Sequence, residues 1–419
     1  MQDETTLPRR DRSAFAAGRL WRDQLLLRLC SRATRSIDRG RLRLTLPSGA
    51  SAVIGRGGTV DAHLVLSNFS VFTKGLRRGT IGFAEAYING DLDSPAIGEV
   101  LRFFVDNKRQ LNESGRGFFR VRRPDRHFHR RRSNSRDGAK RNIAAHYDLG
   151  NAFYAAWLDP SMTYSSARFT GPTVALEAAQ GEKNRRVMAG LRLQPGHTVL
   201  EIGCGWGGFA EAAARAGATV TGLTISAEQL SYAKARLAAA GLGARTELRF
   251  EDYRDTTGTF DRIASIEMIE AVGEDHWSSY FATIAARLKP DGQALIQAIT
   301  IEPASFDKYR AKADFIQRYI FPGGMLPTEA LMAAHAQQAG LKLEVVERFG
   351  ADYVRTLQTW RQSFEQAWPQ IAALGFDEKF RRMWLYYLIY CEVGFDRGVT
   401  DVGHYRLTKP ATIRASSNA

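Results

Sequence analysis

Val199-Leu200-Glu201-Ile202-Gly203-Cys204-Gly205-Trp206-Gly207-Gly208-Phe209 is an apolar run that ends in an acid and alternating glycines before a helical segment, Gly208 to Ala216, begins. It reads as a buried strand, a tight turn and the first turn of a helix. Lacking Cβ atoms, Gly203, Gly205 and Gly207 let the backbone bend sharply and approach a ligand, with the N-terminus of the next helix beside it. That is the layout of a nucleotide-cofactor turn. The dinucleotide fingerprint G-x-G-x-x-G fits only loosely, and the spacing Glu201-x-Gly203-x-Gly205-x-Gly207 is the more distinctive pattern.

Outward from this turn, strand-like and helical segments alternate. Strands are expected at Thr198 to Ile202, Ala218 to Leu223, Glu247 to Phe250, Arg262 to Ile266, Gln293 to Ile299 and Leu341 to Arg348. Helices are expected at Gly208 to Ala216, Ala227 to Ala240 and near Asp275 to Leu288. The rhythm predicts an α/β, doubly wound, mostly parallel sheet that binds its ligands at the carboxyl ends of the strands. Residues 302–340 interrupt it as an insertion expected to act as a lid. Short alternating segments at Arg41 to Leu46, Ser51 to Ile54 and Ala62 to Leu66, with a helix near Ile97 to Asp106, predict a small α+β domain over residues 1–107.

Between these regions, residues 108–141 carry 13 Lys and Arg against Glu113, Asp125 and Asp137, so this segment holds +10 of the chain's net +14. It lacks apolar periodicity and reads as a basic, flexible linker. Its charge is either simply solvated or drawn to an anionic surface, nucleic-acid phosphate or lipid headgroups, at about 1 kcal/mol per basic residue. Residues 142–419 form the expected catalytic domain. With 419 residues and 44% hydrophobic content the chain can bury a sizeable core in two or more domains. No apolar run approaches the roughly 20 residues that span a bilayer, and the N-terminus lacks a signal-peptide layout. Cys30, Cys204 and Cys391 are odd in number and widely spaced, which argues against a disulfide framework or a metal site and favours a reducing cytoplasm.

Glu201-x-Gly203-x-Gly205-x-Gly207 resembles the first motif of S-adenosylmethionine (SAM) methyltransferases, in which the acid reaches the methionine amino group and the glycines pass under the cofactor. Beyond the second strand, where a dinucleotide enzyme carries a ribose-binding acid, stand Thr224, Ser226 and Gln229. Hydroxyl and amide groups are left to hold the ribose. After the third strand, Asp252 offers a carboxylate for the adenine amino group and Tyr253 a ring to stack on it. As isolated residues these would more often be caps or core contacts.

His146-Tyr147-Asp148-Leu149-Gly150-Asn151, Leu158-Asp159-Pro160-Ser161-Met162-Thr163-Tyr164-Ser165-Ser166-Ala167, Gly222-Leu223-Thr224-Ile225-Ser226 and Phe321-Pro322-Gly323-Gly324-Met325-Leu326-Pro327 together resemble the cyclopropane-fatty-acyl-phospholipid synthases and mycolic acid cyclopropane synthases. The resemblance runs from Arg141 to about Tyr405, and Gly79 to Asp93 also resembles the N-terminal domain of the bacterial phospholipid enzymes. It implies a class I, Rossmann-like SAM methyltransferase acting on the cis double bond of unsaturated phospholipid acyl chains. The methyl group is transferred to the alkene, and a proton is then removed from the new methyl to close a ring. In that family a bicarbonate ion is the base, and the resemblance assigns its holders as Glu270, the backbone N–H of Ile299, and Tyr353. It assigns cofactor contacts to Tyr164, Ser165, Gly203, Gly205, Thr224, Gln229, Tyr253 and Ile266, and it suggests a homodimer.

Two positions depart from the family pattern: Ser166 stands for a cysteine and Gln297 for a histidine, both around the expected bicarbonate. Deprotonation is therefore the step most open to change, and loss of a proton from a chain carbon would give a methyl-branched or methylene product without a ring. A lipid-binding homologue without activity is the non-enzymatic alternative. Read without the resemblance, Glu267 and Glu270 are surface or capping acids, Tyr353 is a core or rim tyrosine, and Trp384, Tyr386, Tyr387 and Tyr390 are a packed helix face. A nucleic-acid methyltransferase is disfavoured, because neither Asn-Pro-Pro-Tyr nor a catalytic Pro-Cys is present; the expected partner surface is an anionic membrane, met from the cytoplasm.

Overall fold

The computed structural model describes residues 23–32, 34–114, 138 and 149–409. Contacts divide the chain into two compact units, Met1–Arg120 and Val121–Ala419. His146-Tyr147-Asp148 and most of the basic segment lie outside the described residues.

In the first unit, β1 (Arg41–Thr45) pairs antiparallel with β2 (Ser51–Ile54) and parallel with β3 (Val60–Leu66), and β4 (Leu92–Asp93) completes a sheet of order β2-β1-β3-β4. Leu42 and Leu44 are buried while Arg41 and Arg43 are exposed, the period-two alternation of a sheet with one covered face. Helix α1 (Ser70–Ile88) is kinked at Gly79, whose φ of 57° a side chain would resist, and α2 (Ile97–Asp106) follows β4. The α+β character expected for this region is present. Lys108–Ser114, read from sequence as the start of the linker, is helical.

The second unit is built on a seven-stranded sheet of order β10-β11-β9-β8-β5-β6-β7. Its strands are β5 (Thr198–Ile202), β6 (Thr219–Thr224), β7 (Thr246–Phe250), β8 (Phe260–Ile266), β9 (Leu288–Ile301), β10 (Lys342–Arg348) and β11 (Thr400–Thr408). β5 to β9 pair in parallel, and β11 runs antiparallel between β9 and β10. β5 is buried almost end to end because both sheet faces are covered. On one face Val187, Val199, Phe209, Ala213 and Val220 pack together; on the other Ile263, Trp277, Phe281, Ile296 and Leu407 do. The covering helices include α3 (Leu176–Gly190), α4 (Gly208–Arg215), α5 (Ala227–Ala239), α6 (Trp277–Arg287) and α7 (Glu329–Gln338), and two long ones, α8 (Gly350–Gln366) and α9 (Glu378–Asp396), pack on each other.

This is the doubly wound class I fold expected. The chain leaves β5 toward β6 and β7 and returns on the other side to β8, so the crevice between the carboxyl ends of β5 and β8 is the topological switch point where such sheets bind ligands. β11 was not anticipated, because Gly403, His404 and Arg406 dilute its apolar pattern. The expected insertion is not separate from the core: residues 303–327 contain the helices Pro303–Ala311 and Phe315–Tyr319 and pack Phe306 and Met325 into it, as α7 packs Met332 and Ala336.

Candidate active site

At the end of β5, Gly203, Gly205 and Gly207 have φ of 84°, 51° and 84°, the left-handed region that glycine enters without steric cost. Packing alone explains two of them. A Cβ on Gly203 would come within 2.9 Å of Met268 Cγ, and one on Gly207 within 3.1 Å of Ala233 Cβ. At Gly205 a Cβ would meet no atom within 4 Å, so this position borders open space. Glu201 is buried behind the turn, and its Oε2 has no hydrogen-bond partner. Burial pushes its pKa up to about 8, opposed by nearby Lys183 and by the Ala210 N–H. A buried acceptor without a donor, beside a glycine turn bordering open space, fits the cationic amino group of SAM.

The other expected cofactor contacts are placed unevenly. Thr224 Oγ1 donates to Gln229 Oε1 at 3.1 Å and accepts the Ser226 N–H at 3.1 Å, while Ser226 Oγ caps α5 by accepting the Gln229 N–H at 3.3 Å. These groups form one buried cap at the end of β6. Asp252, expected to take the adenine amino group, is instead held by Arg254, whose guanidinium reaches both carboxylate oxygens at 2.8 and 2.6 Å. Tyr253 packs edge-on against Tyr280, and Ile266 ends β8 opposite Gln297. Ser165 is buried and accepts a hydrogen bond from Lys183 Nζ at 3.2 Å. Lys183 is itself fully buried, and its pKa is lowered to about 8 by that burial. Nothing in Gly181-Glu182-Lys183-Asn184-Arg185-Arg186 distinguishes it from an exposed helical lysine.

Two acids, Glu267 and Glu270, stand just past the end of β8. Glu270 Oε1 accepts the Ile299 N–H at 2.5 Å, and its Oε2 has no partner. Burial first, then the neighbouring Glu267, pushes its pKa up to about 8, so it is largely protonated at neutral pH. Glu270 and the Ile299 N–H are thus bonded to each other, and the Tyr353 hydroxyl donates to Glu267 Oε2 at 2.7 Å. Glu267 Oε1 also accepts the Ser166 N–H and Gln297 Nε2, both at 2.8 Å. Ser166 therefore contributes its backbone, while its hydroxyl donates to the Ala167 carbonyl at 3.1 Å.

The donors expected around bicarbonate are consequently spent on the protein's own carboxylates. An added anion would also lie beside the Glu267 carboxylate, and the Ser166, Gln297 and Tyr353 donors bonded to that carboxylate do not fit it. The adjacent pattern Glu267-Met268-Ile269-Glu270, two acids three residues apart after an apolar strand, is the one signal in the sequence that marks Glu267. Behind Gln297 the bonding continues outward, with Gln297 Oε1 to His404 Nε2 at 3.0 Å and His404 Nδ1 to Glu347 Oε1 at 3.0 Å. Glu347 and Asp352 then hold Arg168, at 3.0 and 2.6 Å.

Aromatic rings form the remaining wall. Tyr164 packs among Tyr154, Trp157, Trp360 and Phe321 with centroids 5.2 to 6.5 Å away, and its hydroxyl meets that of Tyr387 at 2.7 Å. Trp384, Tyr386 and Tyr387 are buried on α9 and Tyr390 is half-buried; Leu385, Leu388 and Ile389 are buried as well, so the helix is covered all round here and not on one face. The segment 303–327 lies against the acids: Met325 N–H donates to the Glu270 carbonyl at 2.8 Å, and Phe321 approaches Tyr387 at 6.3 Å. Among the described residues no cluster of His, Cys, Asp and Glu could hold a metal ion, and no helix is long and apolar enough to cross a membrane.

The family model described as mycolic acid cyclopropane synthetase matches residues 134–405. The chain is 42% identical over 348 residues to tuberculostearic acid methyltransferase UfaA1 of Mycobacterium tuberculosis, covering 80% of each. It is 34% identical over 355 residues to cyclopropane-fatty-acyl-phospholipid synthase of Escherichia coli, covering 82% of this chain and 87% of that one. Among solved structures, mycolic acid cyclopropane synthase CmaA1 complexed with SAH and CTAB superposes with a TM-score of 0.60 at 31% identity, over 64% of this chain and 98% of the other. With the glycine turn, the lone Glu201 oxygen and the switch-point crevice already in place, the chain belongs to the mycolic acid cyclopropane synthetase family and is a SAM-dependent methyltransferase.

Proposed function

We propose that this enzyme transfers the methyl group of SAM to a carbon of the cis double bond in an unsaturated phospholipid acyl chain and releases a methyl-branched chain that keeps one double bond. The observation that carries the reading is a pair of enclosed acids set against a wall of aromatic rings next to the cofactor turn. SAM supplies an electrophilic methyl on a sulfonium. The protein's task is to hold a weak carbon nucleophile in line with that methyl, keep water away, and receive a proton afterwards. Glu201 and the turn from Gly203 to Gly207 orient the cofactor. Tyr164, Trp360, Phe321 and Tyr387 supply an apolar surface for the chain, and their ring faces favour the positive charge that develops on it. Segment 303–327, tied to Glu270 through Met325, excludes water.

The ring-free product is favoured by two observations. The relative named for methyl transfer in tuberculostearic acid formation is 42% identical, against 34% for the phospholipid cyclopropane synthase. The position where the family has a histidine holds Gln297, an amide that cannot take a proton and is already bonded on both sides. The basic segment, residues 108–141, serves in this reading to dock the enzyme on anionic headgroups. To test the substrate class, the enzyme is given methyl-labelled SAM with vesicles of mono-unsaturated or fully saturated phospholipid. Label should enter only the unsaturated lipid; label in headgroups or in saturated lipid would remove the proposal.

A further inference from the structure

We propose that the Glu267 carboxylate takes the place of the bicarbonate ion, so that the base which removes the proton is built into this chain. The inference rests on the methyl-transfer reading above and specifies its last step. Three donors converge on this one carboxylate from three separate parts of the fold: the Ser166 N–H, Gln297 Nε2 and the Tyr353 hydroxyl. They come from the very positions at which the resemblance to the family expects an anion to be held. The carboxylate that answers them is covalently part of the strand end.

Its placement is deliberate in backbone terms. Glu267 has φ of 49°, one of three non-glycine residues with positive φ among the described residues, and its N–H donates to the Gln297 carbonyl at 2.8 Å. That left-handed conformation is unfavourable for a residue with a side chain and is maintained where surrounding contacts over-determine it. Oε1 accepts two of the donors and Oε2 one, which leaves a lone pair of Oε2 for a proton. Glu270, three residues on, is differently set: one donor, one oxygen without a partner, and a pKa raised to about 8. Burial raises the pKa of both acids, but at Glu267 the Ser166 N–H, Tyr353 and Gln297 oppose the rise, against backbone N–H groups alone at Glu270, so Glu267 is the better placed of the two to ionise and accept.

The step balances without a further reagent. After methyl transfer leaves a cation on the acyl chain, a neighbouring C–H bond breaks. Its electron pair forms the new C=C bond, and the proton passes to Glu267 Oε2 and later to solvent. With the Ser166 N–H, Gln297 Nε2 and the Tyr353 hydroxyl all taken by Glu267, an external anion loses these three donors and the role of base.

The test uses the full-length enzyme in buffer stripped of carbon dioxide and in the same buffer with added bicarbonate. Methyl transfer to mono-unsaturated lipid and the binding of ¹³C-bicarbonate, read by NMR line broadening, are measured in parallel. Wild-type turnover should be equal in both buffers, and no saturable bicarbonate binding should appear. E267G relaxes the backbone and empties the position. It should lose about 100-fold or more in turnover, the scale of a missing general base, while keeping its affinity for SAM, and it should bind bicarbonate and regain turnover with it. Turnover by the wild type that stops without bicarbonate, saturable binding to the wild type, or full activity of E267G without added bicarbonate would overturn the inference. If the wild type methylates no lipid in either buffer, it is the methyl-transfer reading that falls, and the binding arm alone decides whether Glu267 stands in for the ion.

Discussion

The buried Glu201 makes cofactor binding a proton-releasing event of calculable size. With its pKa pushed up to about 8 by burial, Glu201 is about 90% protonated at about pH 7 in the free enzyme. The cationic amino group of SAM, or of its product S-adenosylhomocysteine, requires the carboxylate. Binding at about pH 7 should therefore expel about 0.9 proton, falling to about 0.5 near pH 8, and affinity should tighten about five-fold between the two. Titration calorimetry with S-adenosylhomocysteine in buffers of different ionisation enthalpy reads the proton count directly. Glu201→Gln keeps the shape, removes the titration and forfeits a hydrogen bond to a charged group, so it should bind about 30-fold more weakly, about 2 kcal/mol, with no pH slope in this window. Identical heats in all buffers at about pH 7, or a slope that survives in Glu201→Gln, would refute the assignment.

Gly205→Ala and Gly203→Ala should part company. The first adds a methyl to open space and should weaken cofactor binding at least ten-fold with a backbone cost of about 1–2 kcal/mol, whereas the second also strikes Met268 and should lower the melting temperature further. Glu347 is held down to about 2, first by its hydrogen bond with His404, so its stabilising effect is full above its ordinary 4.5 and is lost as pH falls toward about 2. Glu347→Gln should accordingly flatten the acid limb of a stability–pH curve, and an unchanged limb would contradict this. Binding to vesicles should require anionic lipid and should fade between about 0.15 and 1 M salt as the screening length drops from about 8 to 3 Å; equal binding to neutral vesicles would rule out headgroup docking.

The core of the fold was legible because its buried strands are apolar runs closed by turn residues. Val199-Leu200-Glu201-Ile202 before Gly203 is the clearest, and Ile263-Ala264 of β8 and Leu295-Ile296 of β9 follow the same rule. β11 escaped that logic because a sheet interior can hide His404 and Tyr405 when each is given polar partners, and pattern alone cannot see the partners. The same limit governs the site. Local spacing pointed to Glu201 and the glycines, but Asp252 looks available until Arg254, two residues on, is seen to fold back onto it. Lys183 and Glu267 acquire their roles from residues distant in sequence. Ser165 lies 18 residues from Lys183, and Tyr353 lies 86 from Glu267, so only the assembled fold reveals a buried lysine or a carboxylate with three donors.

Proton and carbon NMR of the lipid formed from ¹³C-methyl SAM and mono-unsaturated phospholipid tests the central claim most directly. A mass increase of one CH₂ unit is common to both products. The expected result is a labelled methyl on the acyl chain together with retained alkene signals. An upfield ring methylene carrying the label, with the alkene gone, would contradict it.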